Sequence, residues 1–176
     1  MSVLVLIPAR MAATRLPGKP MALIDGRPMI VHVAERAVEC GLGRVVIATD
    51  SLDIVEAAKA HGHEAVMTDA GHQSGSDRIH EALGIVDPER RVEIVVNLQG
   101  DLPTVEPTLV SAAAAIMDDA SVDIATAGVE IVETTGGLVD AVGRQERGHR
   151  RRHAKPRVRL DLTRAQACLD ELQRGV

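Results

Sequence analysis

The sequence predicts one α/β domain, built on a mostly parallel β-sheet with helices packed on its faces. Three observations lead to this class. Short runs rich in Val and Ile alternate with longer segments whose apolar residues recur every three or four positions. The first run, Val3–Ile7, has five apolar residues in a row, as expected of a strand buried on both sides. The length of 176 residues suits a single domain.

The elements follow in order along the chain. Pro8 lacks a backbone N–H and is predicted to end the first strand. Asp25-Gly26 predicts a tight turn, and either Ser76 or Asp77 is expected to cap a helix. Asp50 is either a site residue or the cap of the helix at Ser51, and the cap is favoured. Further strands are predicted over residues 45–50, 64–67, 92–96 and 122–127, with 129–132 as a continuation or a separate strand. Helices are predicted over residues 28–40, 51–60, 76–83, 107–117 and 161–172.

Composition limits the classes of protein to be considered. Hydrophobic residues make up 45% of the chain, yet it has no Phe, Tyr or Trp. Its core must therefore be aliphatic, and we expect modest stability because aromatic side chains supply much of a normal core. No apolar run approaches the roughly 20 residues that span a bilayer, and no signal peptide is recognisable. Cys40 and Cys168 fit neither a metal nor a disulfide pattern, which is typical of a reduced, cytoplasmic protein. Because no apolar run is long enough to span a bilayer, no membrane partner is expected.

Charge is distributed unevenly along the chain. Residues 1–133 carry 10 Lys or Arg against 20 Asp or Glu, a net charge of −10. That balance argues against nucleic acid as a partner of this part. Residues 134–176 carry 10 Lys or Arg against 5 Asp or Glu, a net charge of +5. The two parts are therefore expected to differ in role.

The sharpest local signal is the loop Arg10–Lys19, which follows the first predicted strand. It holds two Arg and one Lys with no acidic residue, a composition suited to a polyanion such as a nucleoside triphosphate. It matches neither the Walker loop nor the dinucleotide-binding glycine pattern. The alternative is a basic loop that only faces solvent.

Further candidate residues follow the other predicted strands. Asp101 comes after the fourth strand, where its carboxylate is suited to hold Mg²⁺ against phosphates, although Gly-Asp also occurs in ordinary turns. Gln99 is suited to bond a base or sugar, or merely ends the strand. The polar segment His72–Arg78 is suited to read a base edge, or is only a turn and helix cap.

Several segments together resemble a known family, the 3-deoxy-manno-octulosonate (KDO) cytidylyltransferases among the sugar-activating cytidylyltransferases. The first is Pro8–Pro20, whose residues Pro-Ala-Arg-Met-Ala-Ala-Thr-Arg-Leu-Pro-Gly-Lys-Pro resemble the family's signature. The others agree in order and spacing over residues 27–33, 48–50, 67–68, 72–78 and 95–103. The resemblance covers residues 2–133.

The resemblance implies a Rossmann-like nucleotidyltransferase fold, here C-terminally truncated, and a homodimer. It implies transfer of CMP from CTP to the acidic sugar KDO with release of pyrophosphate, for lipopolysaccharide biosynthesis. Mg²⁺ is the implied cofactor and Asp101 its implied ligand. The implied catalytic residues are Arg10, Lys19 and Asp101. The implied CTP-binding positions are Ala9, Arg10, Arg15, Lys19, Gln73, Ser74 and Gln99.

The family's motifs end near Glu133. Residues 144–159 then carry seven Arg in sixteen positions. We interpret 134–176 as a divergent basic tail, expected to be partly disordered, that is either an out-of-frame product or a genuine segment for an acidic partner. Because much of the family's sugar site lies beyond this point, two other hypotheses stay open. One is a truncated, catalytically inactive nucleotide-binding or interaction module, and the other is a cytidylyltransferase for a different acidic sugar.

Overall fold

The computed structural model describes residues 2–12 and 17–127, and the backbone of residues 157–161. A five-stranded, all-parallel sheet forms the centre. Its strands are β1 (Val3–Ala9), β4 (Arg44–Thr49), β5 (Glu64–Met67), β6 (Ile94–Asn97) and β7 (Arg157–Asp161). They lie in the order β5-β4-β1-β6-β7, so β1 lies between β4 and β6. The predicted fold class, an α/β domain with a mostly parallel sheet, is confirmed.

In the part of the chain that the structure describes, four helices cover the two faces of this sheet. They are α1 (Met29–Glu39), α2 (Leu52–Ala60), α3 (Gly75–Val86) and α4 (Pro107–Ala115). Apolar residues of α1, α2 and α4 pack in one core cluster, whereas those of α3 pack in a second cluster across the sheet. Short 3₁₀ turns cover Lys19–Met21 and Ile116–Asp118. A small hairpin, β2 (Leu23–Ile24) and β3 (Arg27–Pro28), precedes α1.

Strand β1 is buried on both faces, as its apolar run predicts. Val5 and Ile7 belong to the cluster under α1, and Leu4 and Leu6 to the cluster under α3, because successive strand residues point to opposite faces. All four are at most 1% exposed. The buried hydrophobic set of the described residues is made of Ala, Val, Leu, Ile and Met. The core is therefore aliphatic on both sides of the sheet.

Two sequence predictions about strands are wrong. The first strand does not end at Pro8 but runs to Ala9. The missing N–H of Pro8 breaks no bond to β6, because β6 pairs with β1 only as far as Leu6, while β4 pairs through Ala9. Residues 122–127 form no strand and contain only an isolated bridge at Ala125. The free side of β6 is instead occupied by β7.

The remaining helix and strand predictions lie close to the observed bounds. The cap of α3 is Ser74, not Ser76 or Asp77, because Ser74 and Asp77 bond reciprocally in a capping box. The predicted helix 161–172 begins on a residue that ends β7, and its other residues lie outside the described ones, as do 129–132. The expected disorder of 134–176 concerns mostly residues that lie outside those described.

The strand order determines where a ligand can approach. The chain adds β4 and β5 on one side of β1 and then crosses through α3 to add β6 on the other side, so a crevice opens at the carboxyl ends of β1 and β6. Arg10, Asp50, Thr68 and Leu98 follow directly after β1, β4, β5 and β6. Polar residues distant in sequence therefore meet at one edge of the sheet.

Candidate functional site

A pocket of about 180 Å³ lies at this edge, between the ends of β1 and β6 and the start of α3. It is smaller than the roughly 300–1,000 Å³ of common ligand pockets, so it suits one part of a nucleotide, such as the base. Five predicted nucleotide-binding residues line it together. They are Ala9, Arg10, Gln73, Ser74 and Gln99. Its other lining residues are Pro8, His72, Gly75 and Arg78.

The basic loop after β1 closes back on itself. The N–H of Gly18 donates to the carbonyl of Met11 at 3.0 Å, and Gly18 has a positive φ of 72°, which a glycine adopts without steric cost. Arg10 leaves β1 directly and is exposed at the pocket wall. Arg15 lies outside the described residues. The loop thus returns the chain to Lys19 at the start of a 3₁₀ turn.

Lys19 and Asp101, both predicted catalytic residues, form an ion pair with each other. Lys19 Nζ lies 2.8 Å from Asp101 Oδ2, although the residues are 82 positions apart. Their side chains are 37% and 52% exposed, so solvent and a ligand can reach both. Asp101 stands two residues after Gln99 of the pocket wall. The pair therefore provides one cation and one carboxylate near the pocket for an incoming polyanion and its counterion.

A glycine fixes the segment that carries Asp101. A Cβ on Gly100 would lie 2.7 Å from the carbonyl oxygen of Pro8, closer than real Cβ atoms come to a backbone atom. Gly100 thus permits the chain after β6 to pass directly over the end of β1. Gln99 Nε2 donates to Asn97 Oδ1 at 3.1 Å, which orients its amide at the pocket wall.

The turn before α3 brings the other wall of the pocket. Ser74 Oγ donates to Asp77 Oδ2 at 2.6 Å and accepts from the Asp77 N–H at 3.2 Å. Gln73 Nε2 donates to the carbonyl of Gly71 at 3.1 Å. Both predicted side chains therefore have local partners that hold them at the helix start. Each keeps hydrogen-bonding capacity toward the pocket.

A carboxylate behind this turn holds the preceding loop. Glu81 Oε2 accepts from the N–H of Asp69 at 2.8 Å and is in hydrogen-bond contact with His72 Nε2. Hydrogen bonds from His72 and from the Asp69 backbone lower the pKa of Glu81 below its ordinary value of 4.5. The loop that carries Gln73 is thus tied to the body of α3.

Arg78 belongs to the polar segment 72–78 but was not among the predicted site residues. The structure buries it at 2% exposure, with its guanidinium donating to Thr68 Oγ1 and Asp50 Oδ2. Asp50 was expected to cap α2, and this is wrong: the N-cap is Ser51, and the Asp50 carboxylate accepts from Arg78 instead. The signal available in the sequence was a cation among the apolar residues of an amphipathic helix, beside Ile79.

The donors present are compatible with Mg²⁺ brought in with a polyphosphate. Mg²⁺ usually keeps several waters and binds through one or two carboxylates together with substrate phosphates. Asp101 offers one half-exposed carboxylate beside a cation. No cluster of three or more His, Cys, Asp or Glu suited to a metal occurs within residues 2–12 and 17–127. In the same part of the chain, no helix is long and apolar enough to cross a membrane.

Comparison with known sequences agrees with the motifs. A family model described as cytidylyltransferase matches residues 4–156, beyond the position near 133 where the motifs end. The 3-deoxy-manno-octulosonate cytidylyltransferase of Mesorhizobium japonicum is 62% identical over 147 residues, which are 81% of this chain and 61% of that protein. That of Brucella ovis is 52% identical over 175 residues, 97% of this chain and 68% of the relative. The chain thus spans about three fifths of the Mesorhizobium relative.

Solved structures agree with the fold. A CMP:2-keto-3-deoxy-manno-octonic acid synthetase complexed with CTP superposes with a TM-score of 0.62 at 40% identity, covering 68% of this chain and 48% of that one. A cytidylyltransferase from Leptospira borgpetersenii gives 0.59 at 26% identity, covering 70% and 52%. A nucleotidyl transferase from Methanothermobacter thermautotroptrophicus, at 16% identity and a TM-score of 0.56, shares the fold. The predicted nucleotidyltransferase fold is confirmed, and the chain belongs to the cytidylyltransferase family, among the 3-deoxy-manno-octulosonate cytidylyltransferases.

Proposed function

We propose that this protein transfers CMP from CTP to 3-deoxy-manno-octulosonate and releases pyrophosphate. The observation that carries the proposal is that five residues predicted for the nucleotide line one pocket, and that Lys19 and Asp101 pair beside it. The names of relatives up to 62% identical support the acceptor sugar. The product is expected to enter lipopolysaccharide biosynthesis.

In the proposed complex the cytosine ring occupies the pocket and the triphosphate extends along Arg10 and Lys19. Arg10 lines the pocket. Lys19 pairs with Asp101, which stands two residues after the pocket residue Gln99, and would exchange this carboxylate for a phosphate. Arg15 and Ala9 complete the proposed CTP site. When bound, Mg²⁺ would neutralise phosphate charge, with Asp101 as its protein ligand.

The reaction itself requires positioning more than covalent chemistry. The anomeric hydroxyl oxygen of the sugar attacks the α-phosphorus of CTP and loses its proton. The bond from the α-phosphorus to the oxygen bridging to the β-phosphate breaks, and pyrophosphate leaves. Arg10 and Lys19 would stabilise the negative charge that develops on the leaving group, because cations held in position act directly on such charge.

Two measurements test this proposal. Titration calorimetry with CTP and Mg²⁺ should show saturable binding, and a pyrophosphate assay should give signal only when CTP and KDO are both supplied. Arg10→Met should lower kcat/KM about 100-fold, the scale of losing one charge-stabilising donor. Lys59→Met removes an equal charge from an exposed position of α2 and should leave kcat/KM unchanged. CTP binding without pyrophosphate release would support the inactive nucleotide-binding module instead, and absence of CTP binding would refute both.

The cellular setting and assembly are part of the same proposal. We propose a cytoplasmic homodimer, with CTP and KDO rather than nucleic acid or a membrane as partners. The family resemblance supports the dimer, and the net charge of −10 over residues 1–133 disfavours a nucleic-acid partner. Light scattering after size-exclusion chromatography should give twice the 18.7 kDa mass of the chain.

A further inference from the structure

Arg78 is the one charged side chain in the buried set of the described residues. Its Nη2 donates to Asp50 Oδ2 at 2.7 Å and its Nη1 donates to Thr68 Oγ1. The Asp50 side chain is itself only 15% exposed. Burying such a pair removes two charges from water, and a well-packed apolar pair would often serve stability equally well. Stability alone therefore does not explain why this charged pair is buried.

The network joins three elements at the edge of the sheet that holds the pocket. Asp50 follows β4, Thr68 follows β5, and Arg78 lies in the first turns of α3. The N–H of Thr68 also donates to the carbonyl of Thr49 at 2.8 Å, so the ends of the two strands are bonded to each other. The planar guanidinium thus locks the start of α3 onto two strand ends, in a fork that only Arg provides.

The start of α3 is also a wall of the pocket. Arg78 lines the pocket together with Gln73 and Ser74, which stand five and four residues before it. The capping box of Ser74 fixes this turn to the helix, but only locally. On the side of β1 the turn packs closely, since a Cβ on Gly75 would lie 3.4 Å from Pro8 Cγ. The bonds of Arg78 tie the helix start directly to the residues after β4 and β5, and the bond from the Asp69 N–H to Glu81 adds a tie from α3 to the segment after β5.

We infer that Arg78 is a positioning residue for nucleotide selectivity, a role that rests on the proposed binding of CTP. Cytosine and uracil differ by an amino donor against an oxo acceptor and by the hydrogen on the ring nitrogen beside it. A site distinguishes them only if its donors and acceptors are held so that the wrong base leaves polar groups unpaired. A turn released from the strand ends can shift and satisfy either base.

A matched control exists at the opposite edge of the sheet. Arg44 also joins β4, β5 and α3: its Nε donates to Glu64 Oε2 at 2.9 Å, and its Nη1 donates to the carbonyl of Val86 at 3.0 Å. Arg44 is at the amino end of β4, whereas the pocket is at the carboxyl ends. Arg44→Met therefore removes comparable ties between the same elements without touching the pocket.

The experiment compares the dissociation constants of CTP and UTP, with Mg²⁺, by calorimetry, and the urea midpoint by far-ultraviolet circular dichroism. Arg78→Lys keeps the charge but not the fork, and should reduce the UTP-to-CTP ratio of dissociation constants about tenfold. Thr68→Val, a milder change, should reduce the same ratio in the same direction. Arg44→Met should lower the urea midpoint and leave the ratio unchanged.

Each outcome decides a separate question. If the wild type binds CTP and both pocket-edge variants keep its ratio while only their urea midpoints fall, Arg78 is structural and the inference is overturned, with the proposed function intact. A fall of the ratio in Arg44→Met equal to that in Arg78→Lys would overturn it as well, because selectivity would then follow general stability. If the wild type binds neither nucleotide, the proposed function and this inference both fail.

Discussion

Replacing Asp101 with Asn should change CTP binding in opposite directions with and without Mg²⁺. Lys19 Nζ is 2.8 Å from the Asp101 carboxylate, so this carboxylate competes with an incoming phosphate for the ammonium group. Asp101→Asn removes the competitor and also removes a negative charge near the triphosphate. Without Mg²⁺ the variant should therefore bind CTP more tightly than the wild type. With Mg²⁺ it should bind more weakly, because the proposed ligand is gone.

The expected gain in Mg²⁺-free CTP affinity follows from the solvent exposure of the ion pair between Lys19 and Asp101. With side chains 37% and 52% exposed, the pair belongs to the solvent-accessible class, which contributes about 0.2–1 kcal/mol. Releasing Lys19 should then tighten Mg²⁺-free CTP binding between about 1.4-fold and 5-fold at low salt. Losing a residue that only hydrogen-bonds to a metal ligand costs about 10–100-fold in metal affinity. Losing a direct ligand should therefore weaken CTP binding in the presence of Mg²⁺ at least about tenfold.

Calorimetry in EDTA and in Mg²⁺ measures both effects on the same preparation. Glu89→Gln is the control, because Glu89 forms another exposed ion pair, with Arg91, and its loss changes the net charge equally. That variant should bind CTP like the wild type in both buffers. Weaker binding of Asp101→Asn in EDTA, or an unchanged response to Mg²⁺, would refute the exchange of partners at Lys19.

Three further outcomes are expected. Gly100→Ala should lose about 1–3 kcal/mol of unfolding free energy in urea, since its Cβ meets a backbone carbonyl of β1 at 2.7 Å, whereas Gly84→Ala on α3 meets nothing and should not destabilise. The hydrogen bond from Arg44 lowers the pKa of Glu64 below its ordinary 4.5, so its stabilisation is present above that pH and is lost in acid. Glu64→Gln should accordingly flatten the acid branch of a stability–pH curve, by less than about 1 kcal/mol. Burial raises the pKa of Cys40 to about 11, so mass spectrometry should find it alkylated far more slowly at pH 8 than in the urea-unfolded chain.

Local sequence was sufficient for elements whose signals agree with their surroundings. The strand Glu64–Met67 was predicted with its observed bounds, because a short apolar run lies between Gly62 and the polar segment after Met67. The cap of α3 was misplaced by two or three residues because Ser74, Ser76 and Asp77 are all good caps. The reciprocal bonds between Ser74 and Asp77 decide the choice.

Features decided by distant pairing could not be predicted. Arg78 bonds to Asp50, 28 positions away along the chain, and to Thr68, 10 positions away. No residue near Arg78 in the sequence indicates either partner. Strand β7 adds to β6 from more than 60 residues away, and although charged and apolar residues alternate over Arg157–Asp161, nothing local indicates that its partner is β6. For the site, the resemblance identified five of the nine residues that line the pocket, while the ion pair of Lys19 with Asp101 needed the fold.

The aliphatic core has an optical consequence. A chain with no Phe, Tyr or Trp contributes almost no near-ultraviolet circular dichroism, a signal that ordinarily reports packed aromatic side chains. A cytosine ring seated between Ala9 and Gln99 would be the dominant chromophore of the complex. The sign and strength of the circular dichroism induced in the base would then report how the base is held, without a label and with almost no signal from the protein.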